Sequence, residues 1–232
     1  MKYCEKEPPE LSQKEFAALL SRLSKKEQQD LFQIVKNASL QLVRDGHIDV
    51  SGKSTEEIEC EIRTYLKKVV ADRESPIHIV IDHTAHLLKL ARQFAIQKKH
   101  EDACLYYALW FEHWLNHLIV SSGRRKGLTD QELNQIIRET DIGRGKTTWL
   151  LRLLDVPAFS QEHQKKILKI AELRNTFVHY KWKSFDHHAT KEHQEALADI
   201  EKTVKYFKGF ERRHFFGKMK SLVRKALTNK AE

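Results

Sequence analysis

An all-α fold is predicted by three features of this 232-residue sequence. Helix-start signatures recur along it, apolar residues repeat at helical spacing between them, and glycine and proline are scarce, at 8 and 4 copies. The length fits one substantial core with smaller extensions, since domains commonly run about 100–200 residues. With 31% charged and 41% hydrophobic residues the composition is globular, not disordered. No apolar run approaches the roughly 20 residues a bilayer demands. The opening MKYCEKEPPEL is too polar for a secretory h-region, so a cytoplasmic location without membrane contact is expected. Cys4, Cys60 and Cys104 are far apart and odd in number, which argues against a disulfide framework and against paired zinc spacing.

Each element has its own local signal. A Ser or Thr followed three residues later by Glu can satisfy orphan helix amides reciprocally, and this occurs at Ser12/Glu15, Ser24/Glu27, Ser54/Glu57 and Thr129/Glu132. After Ser24, the residues Leu31, Phe32, Ile34, Val35, Leu40 and Val43 predict a helix that stops at Gly46. After Ser54, Ile58, Ile62, Leu66, Val69 and Val70 predict another, ending before Pro76. Residues 1–75 therefore read as an N-terminal helical accessory module. From Ile77 the helices become longer and more apolar. Two are expected over about 77–97 and 101–121, separated by QKKHED and closed by Gly123, with IHIVI at 77–81 merging into the first. A loop, SSGRRKG, leads to a short helix from Thr129, and a second loop holds DIGRGKTT. A helix over about 161–181 presents Ile167, Ile170, Ala171, Leu173, Phe177 and Val178 as an apolar face. Two more follow, over about 190–208 and 211–228. The predicted organisation is a helical bundle at 76–210 with a basic helical extension at 211–232.

Charge is concentrated at one end. Residues 1–75 carry a net −1, residues 76–200 a net +3 and residues 201–232 a net +7, within a total of +9. A basic tail points to a polyanion such as nucleic acid, while a solvated helical face gives the same count. Tyr206, Phe207, Phe210, Phe215 and Phe216 are interleaved with these cations and can either stack bases or form a buried face.

Several constellations invite chemistry. GRGKTT resembles part of a phosphate loop, but Thr140 stands where the first glycine belongs and NQIIRE before it reads as helix, not strand. It is better read as a basic loop whose Arg144 and Lys146 can touch RNA phosphates. His113 and His117 are four residues apart without an evident third ligand, and His187, His188 and His193 cluster without a matching Cys or carboxylate pattern, so no metal and no cofactor is called for. In FEHWLN, Glu112 and Asn116 share a helix face. A carboxylate on so apolar a helix needs a partner, and an Arg from a neighbouring helix is the simplest one.

The stretch AELRNTFVHYKW places Arg174, Asn175 and His179 on the helix expected at 161–181. Asn175 and His179 are one turn apart on one face, and Arg174 is displaced by roughly 140° from His179. Arg supplies a permanently charged fork for phosphate oxygens; His takes or gives a proton near neutral pH; Asn can orient either. These groups suffice to cleave RNA without metal, by activating the ribose 2′-OH, protonating the leaving oxygen and stabilising the pentavalent phosphate.

RNTFVH resembles the R-x4-6-H signature of the HEPN superfamily, the higher eukaryotes and prokaryotes nucleotide-binding domain, in the form with Asn directly after Arg. The resemblance covers about residues 77–210 and is strengthened by the helical setting, the polar FEHWLN helix and the aromatic YKW that follows. It implies a HEPN-like bundle and a metal-independent endoribonuclease acting in defence, toxin–antitoxin or RNA-processing systems. Arg174 would bind the scissile phosphate, His179 would transfer protons, Asn175 would position one of them, and Glu112 would support. Lys181 and Lys183, with Arg212 and Arg213 of the basic tail, complete the expected RNA contacts. The resemblance also implies a homodimer with a composite cleft, and a toxic activity calls for restraint by an antitoxin or a sensor protein. One departure is that Lys181 stands two residues beyond the His, where minimal toxin members often carry a Tyr, and Tyr180 is adjacent instead. Two other readings stay open: a non-catalytic RNA-binding or adaptor module, and a helical scaffold whose basic C-terminal segment engages a protein or an acidic membrane surface.

Overall fold

The computed structural model describes residues 21–71, 83–178 and 187–217, and every regular element among them is helical. The chain divides into two compact units, Met1–Ile79 with Lys218–Glu232, and Val80–Gly217.

In the first unit, helices α1 (Lys25–Arg44) and α2 (Thr55–Ala71) begin where the capping pairs place them. Ser24 Oγ accepts from the Glu27 amide at 3.3 Å while the Glu27 carboxylate accepts from the Ser24 amide at 2.7 Å. Ser54 and Glu57 repeat the arrangement at 3.2 and 2.7 Å. The hydrogen bonds from Ser24 hold the Glu27 carboxyl below its ordinary range. Past α1 the backbone turns at Gly46, with φ of 80°. Val43, Ile48, Val50, Ile58 and Ile62 are buried. Phe32, Ile34 and Val35 are exposed, contrary to the apolar face expected of α1. Periodicity shows which residues share a face, not how much of that face finds a neighbour. The Ser12/Glu15 pair and residues 77–81 lie outside the described residues.

The second unit contains α3 (Thr84–Ile96), α4 (His100–Arg125), α5 (Asp130–Glu139), a π-helical turn (Ile142–Lys146), α6 (Trp149–Leu153), α7 (Gln161–Val178), α8 (His187–Leu197) and α9 (Ile200–Phe216). Its centre is α4, whose Cys104, Tyr107, Trp110, Phe111, Trp114, Leu115, Leu118 and Ile119 are buried around the helix. Such all-round burial requires neighbours on several sides, and α3, α5, α7 and α8 all pack against it. The last helix inserts Phe207 into an aromatic cluster with ring centroids 4.8 Å from Trp114, 4.9 Å from Phe159 and 5.8 Å from Phe111. Arg92 of α3 grips Glu201 of α9 through two hydrogen bonds of 2.6 and 2.9 Å, and the Tyr107 hydroxyl donates to the same carboxylate at 2.8 Å. The Arg92 hydrogen bonds hold the Glu201 carboxyl below its ordinary range.

Two predicted boundaries are corrected. Gly123 does not close α4, which continues to Arg125, and the left-handed turn comes at Gly127, with φ of 80°. At Gly123 a Cβ would lie 2.3 Å from Leu133 Cδ2, so the glycine is there to admit α5. The break between the last two helices falls at Asp199, with φ of 57°, and α9 runs uninterrupted through Gly209. Asp tolerates this conformation because its short polar side chain can bond locally. The chain beyond 210 is thus continuous with the bundle as far as Phe216. Phe207, Phe210, Phe215 and Phe216 are buried, and the Tyr206 hydroxyl accepts from the Ser160 amide at 2.8 Å. These rings are core, not base-stacking platforms.

Burial gives α9 a pH dependence. His214 is half-buried, with Nε2 3.5 Å from Ser122 Oγ and its ring beside Phe215. Burial, assisted by the Arg125 charge, lowers its pKa from the ordinary 6.5. Between the two values the unfolded chain binds more protons than the folded one, so stability is full above 6.5 and declines as pH falls through that window. Urea unfolding of wild type and His214→Gln across the window is expected to show a shallower acid decline in the variant.

Candidate functional site

One face of α4 carries Glu112 and Asn116, a single turn apart, and two other elements bring a cation to each. Helix α7 delivers Arg174, whose Nη2 donates to Glu112 Oε2 at 2.9 Å. Their side chains are 22% and 29% exposed, so the pair sits at the edge of the bundle. This is the arginine that a carboxylate on an apolar helix requires. The π-helical turn delivers Lys146, whose Nζ donates to Asn116 Oδ1 at 2.8 Å.

The turn is built to do this. The Lys146 amide reaches back five residues to the Asp141 carbonyl at 3.0 Å, and Thr147 Oγ1 donates to the Ile142 carbonyl at 2.9 Å. Gln164 of α7 donates to the Thr147 carbonyl at 3.2 Å, tying the turn to the helix that bears Arg174. A Cβ on Gly145 would stand 2.0 Å from Thr140 Cγ2, so only glycine lets the turn lie this close. Thr140, which spoils the phosphate-loop pattern, is therefore part of the packing under the turn.

Lys146 is 3% exposed, which corrects its reading as a phosphate contact on an open loop. Asn116 offers its ammonium an acceptor inside the fold, and the aliphatic stem is buried with it. Burial lowers the Lys146 pKa; Arg174 adds to that effect, while Glu112 and Asp141 oppose it. Arg174 uses its fork incompletely, because Nε is buried and finds no acceptor. The arrangement thus holds two cations side by side, with one carboxylate hydrogen-bonded to the more accessible of them. Chemically it can offer a guanidinium to an anion at the surface, with a second positive charge behind it.

Asn175 follows Arg174 on α7 and is exposed. His179, Lys181 and Lys183 lie outside the described residues, as does the side chain of Arg144. The apolar face of α7 is shorter than predicted. Ile167, Ile170, Ala171 and Leu173 are buried, whereas Phe177 and Val178 are 46% and 48% exposed. Arg212 and Arg213 are exposed on α9, where Lys202, Lys205 and Lys208 join them along the outer side. That stripe was detectable from its three- and four-residue spacing, but a net charge for the tail conceals it. Asn116 was visible as sharing the Glu112 face, although nothing local identifies Lys146 as its partner.

Cys104 is buried, its Sγ 3.9 Å from the His193 carbonyl, and burial pushes its thiol up to about 12. His113 is exposed and His117 half-buried. Among the described residues no group of three or more His, Cys, Asp or Glu could hold a metal ion. No helix among them is long and apolar enough to cross a membrane. Compared with known proteins, the chain matches no family model, no curated protein and no solved structure.

Proposed function

We propose that the chain is a HEPN-type endoribonuclease that cuts RNA by attack of the ribose 2′-OH on the adjacent phosphorus. The observation that carries this reading is the setting of Arg174: at the head of RNTFVH, 2.9 Å from Glu112, partly open to solvent and with Nε unsatisfied. A guanidinium so placed can turn toward phosphate oxygens while Glu112 limits its orientations. His179 transfers the protons: one leaves the 2′-OH as the O2′–P bond forms, and one reaches O5′ as the P–O5′ bond breaks. Asn175, exposed beside Arg174, positions the phosphate or the imidazole. Arg212 and Arg213, with Lys181, Lys183 and Arg144, supply backbone contacts. A second copy of the chain contributes a second Arg–His pair, and an antitoxin or sensor protein restrains the activity.

The exposed basic side of α9 also favours a second reading, an RNA-binding module that does not cut. Incubating purified protein with RNA in EDTA and mapping the ends separates the two. Products ending in 2′,3′-cyclic phosphate and 5′-hydroxyl are expected. RNA that is bound with steep salt dependence yet stays intact overturns the catalytic reading in favour of the module.

A further inference from the structure

Two cations interact with Glu112, but it hydrogen-bonds to only one of them. Its partner Arg174 is partly exposed, whereas Lys146, held by Asn116 one turn along α4 from Glu112, is 3% exposed and interacts with Glu112 through its charge. The hydrogen bond to Asn116 uses one of the three N–H donors of the Lys146 ammonium. Of the two carboxylates that favour the charged form of Lys146, Glu112 outweighs Asp141.

This arrangement solves a problem that phosphate binding creates. An anion that takes the Arg174 guanidinium displaces Glu112, and a half-buried carboxylate stripped of its partner is costly, because its desolvation is then uncompensated. A carboxylate at i and an amide at i+4 have Cβ atoms roughly 5–6 Å apart, so the Glu112 carboxylate and the ammonium held by Asn116 share one face of α4. We infer that Lys146 is the standby partner of Glu112: a phosphodiester oxygen takes Arg174, and the Glu112 carboxylate moves from Arg174 to Lys146. Lys146 is then a positioning residue that never meets the ligand. Glu112 acts as a latch, occupying the fork until phosphate arrives. The inference rests on Arg174 being the phosphate-binding residue, and not on whether the RNA is cut.

Binding of an uncleavable 2′-O-methyl RNA hexamer, followed by fluorescence anisotropy, tests it. Removing the competing charge in Glu112→Gln is expected to tighten binding about tenfold, the worth of one charge-assisted hydrogen bond. Lys146→Met is expected to weaken binding about tenfold in the wild-type background and by no more than about twofold in the Glu112→Gln background. Lys146→Arg, which keeps a cation beside Asn116, is expected to restore wild-type affinity. Arg174→Ala is expected to abolish the gain from Glu112→Gln. Unchanged or weaker binding by Glu112→Gln overturns the exchange, and this variant decides the matter even where Lys146→Met does not fold. An equal Lys146→Met penalty in both backgrounds also overturns it, because Lys146 would then act independently of Glu112. Parallel incubation with unmodified RNA separates this inference from the proposed function. The expected binding pattern on RNA that stays uncut ends the ribonuclease reading and keeps the exchange. Cutting by wild type with no Glu112→Gln gain does the reverse.

Discussion

Arg174→Ala and His179→Ala are each expected to lower the rate of RNA cleavage in EDTA at least about 100-fold, the usual yield of one phosphate-stabilising or proton-transferring group. The loss should appear in single-turnover rates at saturating protein, since both groups act on the reacting phosphate and not only on its capture. For Arg174 the fold survives the change. Its ion pair with Glu112 is at the bundle edge, with side chains 22% and 29% exposed, and removing it costs about 1–3 kcal/mol at most. The Lys146 charge, held by Asn116 one turn along α4, interacts with the carboxylate left behind and softens that cost. The hydrophobic contacts of α7 come from Ile167, Ile170 and Leu173, which the substitution leaves in place. Circular dichroism and sedimentation of Arg174→Ala should therefore match wild type. Undiminished cleavage by both variants overturns the assignment of Arg174 and His179.

The largest effect on stability is expected at Phe207. Its side chain is fully buried, with ring centroids within 6 Å of Phe111, Trp114, Phe159 and Tyr206. Truncating such a residue to Ala costs about 3–5 kcal/mol through lost transfer energy and the cavity left behind. Aromatic pairs of this edge-on or tilted kind add roughly 0.5–1.5 kcal/mol each beyond area. Against a whole-domain stability of about 5–15 kcal/mol, Phe207→Ala brings the second unit close to unfolding at ambient temperature. Lys205→Ala, on the exposed side of the same helix, is expected to change stability by less than about 0.5 kcal/mol. Chemical denaturation of the two variants gives the contrast directly. A loss below about 1 kcal/mol for Phe207→Ala would show that α9 is not seated in the aromatic core.

What the sequence disclosed and what it hid follow from the range of the interactions involved. The pairs Ser24/Glu27, Ser54/Glu57 and Thr129/Glu132 begin helices as read, because a capping box closes within four residues and owes nothing to the rest of the fold. Gly123 misled, since a glycine marks either a turn or a close approach, and only the neighbour across the gap distinguishes them. Asp199 adopts the left-handed backbone that ends α8 without any glycine or proline to announce it. At the site, the need for an arginine beside Glu112 could be argued from desolvation alone. Which arginine answers it is a contact across 62 residues, reachable only through packing. Lys146 was misplaced for the opposite reason: GRGKTT has the composition of a solvent loop, and its burial depends on Asn116, 30 residues away.

The π-helical turn ahead of Lys146 carries a further consequence. Its five-residue span between the Asp141 carbonyl and the Lys146 amide holds one residue more per turn than an α-helix would. Each residue of an α-helix advances about 100° around the axis, so shortening this turn by a single residue would swing the ammonium away from Asn116. The second positive charge at the site is thus set by chain length as much as by residue identity. A related chain could switch it on or off by an insertion or deletion of one residue, with every charged side chain left unchanged.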